Sequence, residues 1–176
     1  MNLKPENQLS LYGHHVIFLN FINLYKNNKL PNKILLSGEK GIGKSTLAYH
    51  IINQILSSDE DLSYDSENFK IKSDNRSFKL VTNKSNPNFI SIDVDEDKKS
   101  IDINQIRNLI LTLNKSSFNS KPRFVIIDNI ELLNINSVNA LLKILGSEIK
   151  GQSTVPIVFD KGKFVGGASD SMEYFT

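Results

Sequence analysis

The chain has 176 residues, a formal net charge of +2 and no cysteine. Disulfides, a cysteine-held zinc site and thiol catalysis are therefore excluded, and the charge is too small to argue for nucleic-acid binding by itself. A hydrophobic fraction of 39% with 23% charged residues suits a soluble globular protein of one moderate domain.

The N-terminal MNLKPENQLSLYGHH lacks a basic region followed by an apolar core, so no secretory signal is read. No run approaches the roughly 20 apolar residues that cross a bilayer. A cytoplasmic location, with no membrane association, is the expectation.

In chain order, VIFLNFINL (16–24) is apolar enough for a short helix. KILLS (33–37) is a short apolar run suited to a buried parallel strand. GEKGIGKST (38–46) follows and fits the phosphate-loop pattern G-x-x-x-x-G-K-[ST] at Gly38, Gly43, Lys44 and Ser45. Gly38, Gly41 and Gly43 let backbone N–H groups turn towards a polyphosphate. Lys44 adds a point charge, Ser45 and Thr46 bring hydroxyls, and Ser45 is the expected Mg²⁺ ligand. TLAYHIINQIL then carries Leu47, Ala48, Ile51, Ile52, Ile55 and Leu56 at helical spacing, so the loop opens onto a helix N-terminus. A chance glycine-rich turn is the competing explanation, and the strand–loop–helix order counts against it.

Residues 57–88 are polar with few apolar anchors and read as an irregular or mobile insertion, with one short hairpin around 69–80. FISIDV (89–94) is a second strand. Asp102 and Gln105 form a variant of the capping box ahead of Ile103, Ile106, Ile110 and Leu113, which mark an amphipathic helix. RFVIID (123–128) is the strongest strand pattern. Val138, Leu141, Leu142 and Leu145 mark a last amphipathic helix. Strands alternating with helices predict a parallel α/β sheet.

A phosphate loop needs a carboxylate for its metal, supplied in P-loop NTPases from the end of a buried strand. Asp128 closes such a strand and is the expected second Mg²⁺ ligand; a strand-terminal Asp capping the next turn is the alternative. Together these residues imply ATP and Mg²⁺ as cofactors.

From about residue 11 to 145 the chain resembles the AAA+ domain of the delta-prime subunit of the bacterial DNA polymerase III clamp loader. The matching pieces are YGHH, KLPNKILLSGEKGIGKSTLAYHI, NPNFISIDV, IDINQIRNLI and RFVIIDNIELLNINSVNALLKIL. The Asn-Ala-Leu-Leu-Lys helix (139–143) is the most specific of them. The resemblance implies a RecA-like P-loop NTPase (AAA+) with a parallel sheet flanked by helices, acting with other clamp-loader subunits, the sliding clamp and, through the complex, primed DNA. Many AAA+ ATPases place a Glu directly after the strand-terminal Asp to orient water. Here that residue is Asn129, and the nearest carboxylate is Glu131, the candidate catalytic residue. Nucleotide binding with weak or no hydrolysis follows, as often in delta-prime subunits. The zinc module of many relatives is excluded by the missing cysteines.

Beyond residue 145 the family pattern stops. The expected arginine-bearing motif is missing, no Arg follows Arg123, and the domain is read as truncated, without lid or collar. STVPIVFDKGKFVGGASD resembles the C-terminal part of a glutaredoxin: a Thr-Val-Pro turn (154–156), a hairpin, then Gly166, Gly167 and Asp170. Two explanations stand for 146–176. One is a chimeric junction with a hairpin-containing glutaredoxin-like fragment. The other is a divergent tail in which PIVFD (156–160) fills the next strand of the sheet. The functional alternatives are a stand-alone P-loop ATPase, a glutathione-binding module and a non-functional fragment.

Overall fold

A computed structural model describes residues 4–95, 97–115, 121–146 and 154–160. The chain divides into two compact units, Met1–Leu30 with Gly41–Phe89, and Pro31–Lys40 with Ile90–Thr176.

In the first unit, α1 (His15–Lys26) and α2 (Lys44–Leu56) pack together. Their apolar residues recur at helical spacing. Phe18, Phe21 and Ile22 of α1 and Leu47, Ala48, Ile51, Ile52, Ile55 and Leu56 of α2 are all buried. Both helices fall where the apolar periodicity predicts them, with α2 starting two residues earlier, at the lysine of the loop.

Residues 57–88 hold a correction. The expected hairpin around 69–80 is not formed; its second half is the helix α3 (Arg76–Thr82). Asn75 decides this. Its carboxamide oxygen accepts from Phe78 N at 2.7 Å and so caps the helix. The carboxylate of Glu60 accepts from Arg76 N and Ser77 N, placing negative charge on the same helix end. The other half pairs with the N-terminal segment instead: Leu11 N donates to Phe69 O, and Ile71 N to Leu9 O. Apolar anchors exist after all, since Tyr64, Ile71 and Val81 are buried. The spacing hides them because Tyr64 and Ile71 lie in irregular chain and Val81 in a helix, with no shared period.

Asn75 is fully buried; it also accepts from Asn53 Nδ2 and donates to Leu62 O. Asn75→Ala removes the cap and takes their partner from the buried Asn53 amide and from the Leu62 carbonyl. It should cost about 2 kcal/mol of stability, read as a lower midpoint in urea unfolding.

The second unit carries a four-stranded sheet in the order β1 (Ile34–Ser37), β4 (Thr154–Asp160), β3 (Arg123–Ile127), β2 (Phe89–Ile92). β4 is parallel to both β1 and β3, with Ile157 opposite Ile34 and Ile126. All five residues of β3 are buried, as expected of an apolar strand inside a parallel sheet. Ile92, Val125 and Ile127 of the sheet form one core with Ile106, Leu109 and Leu113 of α4 (Ile103–Leu113) and Leu141 of α5 (Ile135–Gly146). The face predicted for α4 includes Ile106 and Leu113. Leu109 completes it, while Ile103 and Ile110 are only partly buried.

The capping box of α4 is complete: Asp102 Oδ1 accepts from Asn104 N and Gln105 N, and Gln105 Oε1 accepts from Asp102 N. Lys98 holds the Asp102 carboxyl below its usual range, with the Gln105 N–H adding to the effect. Asp102→Ala should lower the urea midpoint, and Asp102→Asn, which keeps the acceptor, should lower it less. At the other end of α4, the buried Arg123 donates through Nη1 to the carbonyls of Thr112 and Lys115. A cation thus closes the helix C-terminus.

β4 occupies the slot between β1 and β3 with residues 154–160. Thr154, Val155 and Pro156, expected as a turn on the glutaredoxin resemblance, are its first three residues, and Pro156 lies opposite Val125. Proline removes one ladder donor from an inner strand, a position it rarely takes. The expected hairpin and the loop of Gly166, Gly167 and Asp170 lie outside the described residues.

Candidate functional site

The loop after β1 is built by its glycines. Gly38, Gly41 and Gly43 all have positive φ, at 154°, 84° and 95°. At Gly41 the need is conformational alone, because an added Cβ would meet nothing within 4 Å. At Gly43 the same Cβ would lie 3.7 Å from the ring of His14.

Gly43 also caps α2, a 13-residue helix, and has no side chain to satisfy its first turn. The opening N–H groups of such a helix, with its dipole, form an anion site. Lys44, Ser45 and Thr46 are the first three residues of α2, all partly exposed. These donors suit a polyphosphate: backbone N–H groups, one ammonium and two hydroxyls. Mg²⁺ bound beside phosphates needs one or two carboxylates at most. Among the described residues no three His, Cys, Asp or Glu side chains converge on a metal-sized site.

Asp128 follows β3 directly and is partly exposed. Its N–H donates to Ile92 O at 2.9 Å, tying it to β2. Its Oδ1 accepts from Asn129 N at 3.0 Å, the contact a turn-closing aspartate makes. Asn129 is left-handed, φ 50°, and its Nδ2 donates to Asp93 Oδ1 at 2.7 Å. A carboxamide cannot accept a proton from water, so Asn129 offers no base. Glu131 lies on a single 3-10 turn, Ile130–Leu132, and is exposed.

Two neighbours escape a reading of the sequence. Asp93 stands just past β2 as Asp128 stands just past β3, and the Asn129 bridge joins the two strand ends. A carboxylate closing FISID was the available signal. His14, whose Nε2 lies 2.7 Å from Ile42 O, had none, since 28 positions separate it from the loop.

A small parallel sheet, with a glycine loop leading from its first strand into the next helix, places the protein in the mixed α/β class. The family model described as DNA polymerase III, delta subunit, matches residues 13–152, and the chain belongs to that family. At this level the match agrees with the clamp-loader resemblance. Among solved structures, a DNA polymerase III gamma subunit-related protein from Thermotoga maritima is similar at 17% identity, with a TM-score of 0.43. The match covers 81% of this chain and 39% of that one, so the chain spans well under half of that relative's length. No curated protein matches. Among the described residues, no helix is long and apolar enough to cross a membrane.

Proposed function

We propose that the chain is an ATP-binding clamp-loader subunit of the delta-prime type, with a RecA-like AAA+ fold. It works in DNA replication with other clamp-loader subunits, the sliding clamp and, through the complex, primed DNA. The observation that carries the nucleotide reading is a loop with three positive-φ glycines that leads into the N-terminus of α2, where the N-cap is Gly43 and makes no side-chain cap. Membership of the polymerase III family supports the setting.

In this reading the backbone of residues 38–46 and Lys44 hold the phosphates, and Ser45 and Asp128 hold Mg²⁺. The metal would neutralise phosphate charge. The reading includes weak or no hydrolysis. Asn129 cannot serve as a base, and Glu131, the remaining candidate, is exposed on its turn. A subunit that binds ATP without consuming it would act through its contacts with other subunits.

Titration of the purified chain with a fluorescent ATP analogue, with and without Mg²⁺, tests the reading. Saturable binding that needs Mg²⁺, with no phosphate release above background, is the expected result. A chain shown to be folded by circular dichroism that binds no nucleotide would overturn it.

A further inference from the structure

We propose that His14 is a positioning residue for the phosphate loop. Its imidazole would hold the Ile42–Gly43 peptide so that the Gly43 N–H is presented to a bound polyphosphate. This rests on the nucleotide reading of the loop and adds to it a residue from outside the motif.

The geometry is local to the first unit. His14 Nε2 lies 2.7 Å from Ile42 O. A carbonyl oxygen only accepts, so Nε2 carries the hydrogen. The same ring stands 3.7 Å from where a Gly43 side chain would begin, so it covers the loop as well as bonding it.

His14 is itself held in place. It is left-handed, φ 56°, and immediately precedes α1, whose Phe18 N donates to His14 O at 2.9 Å. Phe18 is buried, and His15 on the other side stacks on Phe69 at 4.0 Å. The ring is thus carried by a packed helix start.

The consequence follows from the planarity of the peptide. In a trans peptide the C=O and the N–H point in opposite directions. Fixing Ile42 C=O on His14 therefore fixes the Gly43 N–H on the side away from His14. A phosphate loop works only if its N–H groups converge and its carbonyls face outward, because a carbonyl turned towards an anion repels it. Gly43 at φ 95° has the freedom to flip this peptide, and one bond from His14 removes that freedom.

The test compares four variants with the wild type, using the fluorescent ATP analogue with Mg²⁺ as probe and the Gly43 amide signal as a second readout. His14→Phe keeps a ring without a donor. His14→Asn tolerates the left-handed backbone but is too short to reach Ile42, and it serves where Phe lowers the melting temperature. His14→Gln places an amide N–H near the lost Nε2. Lys44→Ala marks loss of the site itself.

The expected result is about tenfold weaker binding in Phe and Asn, which is the loss of one hydrogen bond, with recovery to within about threefold in Gln. Amide exchange at Gly43 should rise in Phe and Asn and return in Gln. Binding within about threefold of wild type in both Phe and Asn would overturn the positioning role while leaving the site intact. Equal losses in Gln and Phe would overturn it too, as packing alone. If the folded wild type binds nothing, the nucleotide reading falls, and the positioning role with it.

Discussion

Lys44→Ala is expected to weaken Mg²⁺-dependent ATP binding about a hundredfold while leaving the fold intact. Lys44 opens α2 and is partly exposed, so its ammonium is not part of the buried core. Hydrogen bonds to charged groups are each worth about 1.5–3 kcal/mol, and one ammonium spanning two phosphates makes more than one of them. About 2.7 kcal/mol corresponds to a hundredfold in the dissociation constant. The backbone N–H groups of the loop survive the change, so residual binding at high nucleotide concentration is expected. Circular dichroism and the urea midpoint should match wild type. Full binding by this variant would remove the loop from the site and end the assignment of residues 38–46.

The second large effect concerns acid. His50 is fully buried in α2, with Nε2 3.1 Å from Gln8 O and Nδ1 2.8 Å from the Tyr64 hydroxyl. The Gln8 carbonyl only accepts, so Nε2 carries the proton and Nδ1 accepts from Tyr64. A neutral imidazole satisfies both partners; a second proton, on Nδ1, would turn the Tyr64 hydroxyl from donor to acceptor and cost it the bond it donates. Burial pushes the His50 pKa down from 6.5 to about 4, against a smaller upward pull from the Gln8 carbonyl. Burial likewise pushes the Tyr64 hydroxyl up, helped by the charge of Asp65, so it stays a donor.

Between these two values the unfolded chain binds a proton that the folded chain refuses. Stability contributed by neutral His50 is therefore complete above pH 6.5 and is lost as the pH falls towards about 4. The loss should reach about 2.5 kcal/mol between about pH 7 and about pH 4.5, at 1.36 kcal/mol per unit. Urea unfolding at the two pH values measures it. His50→Gln cannot titrate, so its own loss over the same interval should be smaller by that amount. Equal acid losses in the variant and the wild type would show that carboxylates, not His50, carry the acid sensitivity.

Much of the framework is legible in the residues, because it depends on neighbours in sequence. The apolar periods of 16–24, 46–56 and 103–113 become α1, α2 and α4, and KILLS, FISIDV and RFVIID contain β1, β2 and β3, each strand one or two residues shorter than its apolar run. Glycine is needed where φ is positive, so the spacing of Gly38, Gly41 and Gly43 already outlines the loop. The capping box of Asp102 and Gln105 spans three residues and is likewise readable.

What only the tertiary structure decides joins residues far apart. Residues 69–80 carry a pattern that suits a hairpin, and Asn75, held by Asn53 and Leu62, makes a helix of their second half. The placing of 154–160 between β1 and β3 depends on partners about 30 and 120 residues away, and no local propensity selects such a register. The contacts of His14 with Ile42, His50 with Gln8 and Asn129 with Asp93 are of the same kind. By itself the sequence determines which of the strongly periodic segments become strands and helices and which residue types could meet a phosphate, because periodicity, caps and positive φ are local constraints. Which buried polar group answers which is settled only when the chain closes on itself, because a hydrogen-bond partner is chosen by distance in space.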